Sequence, residues 1–249
     1  MTKKEGIYTL YASVRGNLHS AKNLPCQDYC ASKINKNKMV AVVSDGAGSA
    51  KYGKIGARIV CETVCSCLVR SELKNLHQNL YKAIETARQK LIVHRLNKSK
   101  SEKHLIDFSA TVVGVFCHKN TGIFFHIGDG AGIAYMQNNY GELTISEPEN
   151  GAFSCETYFY TMPDWNEHVR FTRFEKAERI FLMTDGVTGF VFSDDFFKIH
   201  HKFFNPVADY LERETRKICA IKALKNTLND AKAQRLNADD KTIFWAKLS

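Results

Sequence analysis

The sequence predicts an α+β protein in which helices surround a mostly antiparallel β core. Three long segments carry apolar residues at helical spacing, and short apolar runs typical of strands lie around them. Neither a Pro/Gly-rich linker nor an internal repeat divides the 249 residues. We therefore expect a single domain that spans residues 1–249.

Strands are predicted where a short apolar or β-branched run adjoins turn-forming residues. Two of them, at residues 8–14 and 38–44, precede the first long helix. The others form a strand-rich centre and a last strand after the third helix, and they cover residues 110–117, 122–127, 132–136, 157–162, 169–174, 179–184 and 241–248.

Helices are predicted at residues 53–70, 72–97 and 215–236. Apolar side chains recur there every three or four residues, which places them on one face of a helix. In the first and third helices these side chains are Ala57, Val60, Val64 and Leu68, and Ile218, Ile221, Leu224 and Leu228.

Composition and charge narrow the function classes. The chain is 44% apolar and 24% charged, as in an ordinary globular protein. It has no apolar stretch of the ~20 residues that cross a bilayer and no signal-peptide pattern, so we expect a cytoplasmic protein without a membrane partner.

The chain has a net charge of +9, and its basic residues are concentrated in residues 33–38, 88–103 and 213–235. Aromatic residues do not interleave with these charges, so we interpret the basic stretches as solvated surface and not as a nucleic-acid binding site. An affinity for DNA or RNA that falls steeply with salt would show the alternative.

The pair Asp-Gly occurs three times, at Asp45, Asp129 and Asp185, whereas composition predicts roughly one such pair or fewer. Each pair lies at the end of an apolar predicted strand. A hairpin turn is the structural alternative, and it suits Asp129, which has strands on both sides. It does not suit Asp45, which precedes a helix. Asp28 and Asp239 also adjoin predicted strands.

Carboxylates at several strand ends can converge on one rim of a sheet. Such a cluster repels itself unless protons or cations neutralise it, and a hard divalent ion does so with oxygen ligands alone. Oxygen ligation without His or Cys favours Mg²⁺ or Mn²⁺ over zinc. Glycine permits close backbone approach, so the carbonyl of Gly46 could join the ligands.

Five short motifs follow one another along residues 13–248, and each is weak alone. They are Cys26-Gln-Asp28, Asp45-Gly-Ala-Gly48, Gly128-Asp-Gly130, Thr184-Asp-Gly186 and Asp239-Asp-Lys-Thr242. In order and spacing they resemble the motifs of the metal-dependent protein phosphatases of the 2C type (the PPM family), and within it a compact bacterial branch.

The resemblance implies a four-layer α/β-β/α sandwich whose central pair of sheets is mainly antiparallel. It also implies two Mn²⁺ or Mg²⁺ ions and a third, weaker site. Asp45 would bridge the two ions with help from the Gly46 carbonyl, and it would be catalytic together with Asp185. The remaining metal-site residues would be Asp185 and Asp239 at the first ion, Asp28 near the second, largely through water, and Asp129 at the third.

The implied reaction is hydrolysis of phosphoserine and phosphothreonine by a water that the dinuclear centre activates. The implied partner is a phosphorylated protein, the product of a Ser/Thr kinase. One departure concerns the substrate phosphate: family members often carry Arg five residues before the first-motif Asp, where this chain has Asn23. His19 or Lys22 could substitute, and His19 is the predicted phosphate contact.

Two alternative functions remain open on the sequence. A catalytically silent phosphatase-fold module would bind or regulate, although such proteins usually lose some metal carboxylates, and this chain has those of Asp45, Asp185 and Asp239. Residues 48–55 nearly match a nucleotide-binding P-loop, but Ile55 stands where that motif needs a hydroxyl.

Overall fold

The computed structural model describes residues 6–96, 105–136, 143–149, 157–192 and 199–248, and within these ranges all strands belong to two antiparallel sheets. The strands are β1 (Tyr8–Val14), β2 (Tyr29–Asn35), β3 (Lys38–Ser44), β4 (Val112–His118), β5 (Thr121–Ile127), β6 (Ala131–Met136), β7 (Leu143–Ser146), β8 (Arg170–Phe174), β9 (Ala177–Met183) and β10 (Lys241–Lys247). One sheet has the order β1-β10-β9-β6-β7 and the other β2-β3-β4-β5-β8.

Helices cover the outer faces of both sheets. They are α1 (Asn17–Ala21), α2 (Gly53–Leu68), α3 (Leu76–Leu96), α4 (Asp185–Val191), α5 (His201–Arg213), α6 (Lys217–Leu228) and α7 (Ala231–Leu236). Helices α2 and α3 pack on the sheet that contains β3, while α4, α5 and α6 share an apolar cluster with the sheet that contains β1.

Strand β3 shows how the layers arise from the sequence. Successive side chains of a strand point to opposite faces of the sheet. Val40 and Val42 accordingly join the cluster beneath α2 and α3, whereas Met39, Ala41 and Val43 join the cluster between the two sheets. Both faces of β3 are therefore buried, and the expected four-layer α/β-β/α sandwich is confirmed.

The predicted strand at 157–162 is wrong. Apart from a bridge at Thr157, these residues form no strand, and the backbone bonds of this segment go elsewhere. The Tyr160 N–H donates to the Ala110 carbonyl, and the Arg88 guanidinium donates to the carbonyls of Tyr160 and Met162. The aromatic and β-branched residues that resembled a strand instead pack a loop against α2 and α3.

The predicted helix at 215–236 is divided into α6 and α7. The Asp230 carboxylate accepts a hydrogen bond of 2.8 Å from the Lys232 N–H, which caps the start of α7. Leu224 and Leu228 are buried as expected, but Ile218 is 83% exposed. Ile221 is half-buried against the same cluster, so among the four predicted side chains only Ile218 faces away from the core.

The other predicted elements are found with small shifts. The first helix ends at Leu68, and α3 begins at Leu76 after a 3₁₀ turn. Position 97 of the predicted helix and residues 97–103 of the second basic stretch lie outside the described residues. Strands β2 and β7 and helices α1, α4 and α5 were not predicted. Among the described helices, none has the combination of length and hydropathy needed to cross a bilayer.

Candidate metal centre and active site

Five predicted carboxylates lie at the ends of strands from both sheets. Asp28 precedes β2, Asp45 follows β3, and Asp129 lies in the turn between β5 and β6. Asp185 opens α4 just after β9, and Asp239 lies two residues before β10. The site is therefore built where the two sheets meet, and contacts between distant segments of the chain form it.

Their electrostatic interactions show that these carboxylates converge. Burial raises the pKa of Asp45 well above its usual value, and the charges of Asp28, Asp239 and Asp129 raise it further. Burial likewise raises the pKa of Asp185, with contributions from Asp45, Asp129 and Asp239. Asp45 and Asp28 are close enough for a hydrogen bond between their carboxyl groups when one is protonated. The structure thus brings together all five carboxylates that the sequence singled out.

Two carboxylate oxygens at the centre have no hydrogen-bond partner. Oδ2 of Asp28 accepts a bond of 2.8 Å from the Thr184 hydroxyl, and Oδ2 of Asp129 accepts one from the Thr157 hydroxyl. The Oδ1 atom of each residue is buried and unpaired. A buried oxygen without a partner lowers the stability of the fold unless a water, an ion or another ligand binds to it. Unpaired oxygens in a cluster of acidic groups fit a hard divalent cation.

The glycines of two Asp-Gly pairs permit close backbone contact. A Cβ on Gly46 would lie 2.3 Å from the carbonyl carbon of Gly53, and a Cβ on Gly186 would lie 1.8 Å from the carbonyl oxygen of Asp240. Both separations are far below van der Waals contact. At these two positions, the glycines allow the loops that carry Asp45 and Asp185 to lie against neighbouring backbone.

We expect Gly186→Ala to displace the loop that holds Asp239 and Asp240, because a methyl group cannot fit beside the Asp240 carbonyl. Overpacking of this kind typically lowers the free energy of unfolding by about 1–3 kcal/mol. The measurement is chemical denaturation of the variant and of Gly189→Ala, a matched control whose added Cβ meets no atom within 4 Å. Equal stability of the two variants would contradict the close-packing argument.

Asp240 is a structural residue that sequence reasoning missed. Its side chain is fully buried and holds the first-motif loop. Oδ1 accepts a bond of 2.7 Å from the Gly16 N–H, and Oδ2 accepts one of 2.6 Å from the Gln27 N–H. Oδ2 also lies 2.8 Å from Nδ1 of His19. The only signal in the sequence was its position beside Asp239, because none of its three partners lies near it along the chain.

His19, the predicted phosphate contact, lies inside the site. It is 5% exposed, and His19, Asp239 and Asp240 each place one potential ligand atom within 4.8 Å of the other two, a spacing that could hold a metal ion. Both oxygens of Asp240 already accept hydrogen bonds, so Asp240 is better suited to hold His19 than to bind a cation. On the far side of the ring, Nε2 lies 3.5 Å from the end of the Gln27 side-chain amide, whose nitrogen is better placed to donate to the carbonyls of Gly46 and Ala47.

Lys241 places a positive charge beside the carboxylates. Its side chain is buried, and Nζ donates a bond of 2.7 Å to the carbonyl of Asp239. Burial lowers the pKa of Lys241, whereas the charges of Asp239 and Asp240 act to raise it. This ammonium group offsets part of the repulsion within the acidic cluster, which helps the fold tolerate so many carboxylates in one place.

A centre of converging carboxylates where the two sheets of an α/β-β/α sandwich meet is the arrangement of a metal-dependent phosphatase. Residues 15–229 match the family model described as Protein phosphatase 2C, and the chain belongs to this family. The expected family and the expected enzyme class, a protein serine/threonine phosphatase, are thereby confirmed. The silent-module alternative is not favoured, and the metal dependence of the family agrees with the donor atoms described above.

One relative and several solved structures resemble the whole chain. Serine/threonine-protein phosphatase 3 of Escherichia coli K12 is 26% identical over 96% of this chain and 98% of its own length. A serine/threonine phosphatase of S. agalactiae superposes with a TM-score of 0.68 at 17% identity, covering 98% of this chain and 100% of that chain. Stp1 of Staphylococcus aureus does so with a TM-score of 0.65 at 14% identity, covering 100% and 98%. The two structural matches support the fold.

Proposed function

We propose that this protein hydrolyses phosphoserine and phosphothreonine in phosphorylated proteins with the help of two Mn²⁺ or Mg²⁺ ions. The observation that carries the proposal is the convergence of five acidic side chains, two of them with a buried, unpaired oxygen. The family membership and the name of the E. coli relative support the choice of phosphate monoesters on proteins as substrates. The substrate would be the product of a Ser/Thr kinase.

Each carboxylate has a proposed role at one of the metal ions, and its interactions with the other carboxylates support that role. Asp45 interacts with both Asp28 and Asp239, which suits a residue shared by two ions. Asp185 and Asp239 would hold the first ion, Asp28 would lie near the second, largely through water, and the Gly46 carbonyl would assist Asp45. Asp129 interacts with Asp239 and Asp185 and would hold the third, weaker ion.

Divalent ions bound there would supply an activated water and offset charge on the phosphoryl oxygens. The protein's own part is to keep the ligands in place. Thr184 fixes one oxygen of Asp28 and also accepts a bond of 3.0 Å from the Thr242 N–H, which ties two motifs together. The Gly186 N–H donates a bond of 2.7 Å to the Asp185 carboxylate and orients it.

His19 is our candidate for the contact to the substrate phosphate. The Asp240 carboxylate can only accept a hydrogen bond when ionised, so Nδ1 of His19 donates to it. Nε2, which lies 3.5 Å from the Gln27 side-chain amide, would donate to a phosphate oxygen when the ring is protonated. A carboxylate behind the ring fixes its orientation, as it commonly does for histidines in catalytic centres. His19 therefore stands in a suitable place for the arginine that position 23 lacks.

The experiment that tests the proposed function is release of phosphate from a phosphothreonine peptide, with Mn²⁺, with Mg²⁺ and with chelator. We expect turnover with either metal, no turnover in chelator, and loss of turnover in Asp185→Asn. Turnover that persists in chelator would exclude the metal mechanism. A folded protein that turns over no peptide with any metal would favour the silent module instead.

We expect His19→Gln to raise KM for the phosphopeptide by about tenfold, because one phosphate contact is lost. Asp240→Asn should shift KM in the same direction, since it releases His19, and the two changes should not add when combined. The measurement is steady-state kinetics of both single variants and the double variant, with the exposed His118→Gln as the matched control. Additive effects of the two changes would show that Asp240 does not act through His19.

A further inference from the structure

A polar recess lies beside the first-motif loop, outside the metal centre. Its volume is about 370 Å³, and it is lined by Val14, Arg15, Ser20, Lys225, Asn226 and Asn229. Arg15 follows β1, Ser20 belongs to α1, and the other polar residues come from the end of α6. Three separate elements therefore meet in the recess, and their side chains are mostly hydrogen-bonding or charged.

The charge of the lining has one sign. Arg15 and Lys225 are cations, Ser20, Asn226 and Asn229 are neutral donors, and no described carboxylate lines the recess. Neither cation forms an ion pair with a carboxylate in the described part of the chain. Arg15 donates one bond of 3.3 Å, from Nη1 to the Leu24 carbonyl, so most of its guanidinium donors remain for a ligand. Such a lining is complementary to an anionic group.

The recess is joined to the metal centre through one buried side chain, Gln234. Nε2 of Gln234 donates to the Arg15 carbonyl and to Oδ1 of Asn229, both at 3.2 Å. Oε1 of Gln234 lies 3.4 Å from Nζ of Lys241, which in turn donates to the Asp239 carbonyl. Ser20 also adjoins His19 in the chain. The recess is thus a near neighbour of the site at which the phosphorylated residue would bind.

We propose that this recess binds an acidic side chain that flanks the phosphorylated residue of the substrate. The inference rests on the proposed function, because it assigns a substrate class to the same site. Exposed charge pairs contribute little individually, so the expected preference is modest, roughly threefold to fivefold in KM. It favours acidic over basic flanking residues, and salt weakens it.

The test compares short phosphothreonine peptides flanked by glutamate, glutamine or lysine, together with p-nitrophenyl phosphate. We expect Lys225→Glu to raise KM for the glutamate-flanked peptide and to lower it for the lysine-flanked peptide. KM for p-nitrophenyl phosphate, which has no flanking residue, should not change. The matched control is Lys82→Glu on α3, an exposed lysine in the opposite helical layer. A doubly phosphorylated peptide shows whether a second phosphate substitutes for the carboxylate.

Two results would contradict the proposal that the recess binds an acidic side chain of the substrate. Equal changes for all three peptides, or the same changes in Lys82→Glu, would show that only the overall charge of the protein matters. Peptide affinity is measured by calorimetry alongside turnover, so the recess is tested even if hydrolysis is absent. Failure of the proposed function has a different signature, namely no turnover of p-nitrophenyl phosphate by the unaltered protein with any metal.

Discussion

Asp45→Asn is expected to abolish phosphatase turnover and, in chelator, to make the protein more stable. The first effect follows because Asp45 interacts with the carboxylates of Asp28 and Asp239 and would anchor both ions. Losing a residue that only orients a metal ligand already lowers affinity or activity 10–100-fold, so loss of a shared ligand should reduce turnover by at least about a hundredfold.

The second effect follows from the charge of the cluster. Without cations, an ionised Asp45 is buried and repelled by Asp28 and Asp239, and Asn removes that charge at nearly constant volume. The gain in unfolding free energy should be on the order of 1 kcal/mol, because a raised pKa in the folded protein means that the ionised side chain lowers its stability. An increase in stability together with a loss of activity would mark Asp45 as a functional residue that the fold itself does not need.

The measurement pairs phosphate release in Mn²⁺ with thermal unfolding in chelator. Asp164→Asn is the matched control, because Asp164 is exposed and its only described ion pair is a surface contact of 3.5 Å with His168. The control should change neither quantity appreciably. Near-normal turnover in Asp45→Asn would exclude the shared-ligand role, and lower stability in chelator would contradict the repulsion argument.

The stability of the metal-free protein is expected to fall as pH rises from about 4 towards 8, in contrast to the usual trend for acidic residues. Burial, with the charges of Asp185 and Asp240, raises the pKa of Asp28 to about 8, and burial raises those of Asp45 and Asp185 as well. An unfolded Asp titrates near 3.9, so the folded state binds more protons between these values. Raising the pH removes those protons and weakens the fold.

Divalent cations should reverse this trend, because they replace the protons on the same oxygens. Mn²⁺ affinity should therefore increase over the same pH range. Burial and the charge of Arg170 lower the pKa of His126, whose protonation destabilises the fold only below about pH 6.5. Unfolding temperatures between about pH 6.5 and 8, with chelator and with Mn²⁺, isolate the contribution of the carboxylates. A metal-free protein that gains stability over this range would contradict the account.

The sequence predicts most of the layers because burial leaves a local periodic signal. Strand β3 is a continuous apolar run, as expected for a strand buried on both faces. The metal carboxylates were also visible, because each follows or precedes such a strand. Asp230 is a different case, because the sequence does not show whether this residue continues one helix or caps the start of the next. Only its hydrogen bond with the Lys232 N–H shows that it is a cap.

What the sequence could not predict depends on contacts between distant segments. The bonds of Asp240 to Gly16 and His19 join residues more than two hundred positions apart, and no local pattern records them. The burial of Lys241 could not be predicted either, because nothing in the sequence distinguishes this lysine from one on the surface. The loop around Tyr160 was mistaken for a strand because its aromatic residues pack into the core without a neighbouring strand.

The most direct test of the metal centre is anomalous diffraction at the manganese edge from crystals soaked in Mn²⁺. We expect two strong peaks that share Asp45 as a ligand, one of them also contacting Asp185 and Asp239. A third, weaker peak is expected at Asp129. Peaks that avoid Asp45, or no peak within reach of these carboxylates, would contradict the proposal that they form the catalytic metal centre.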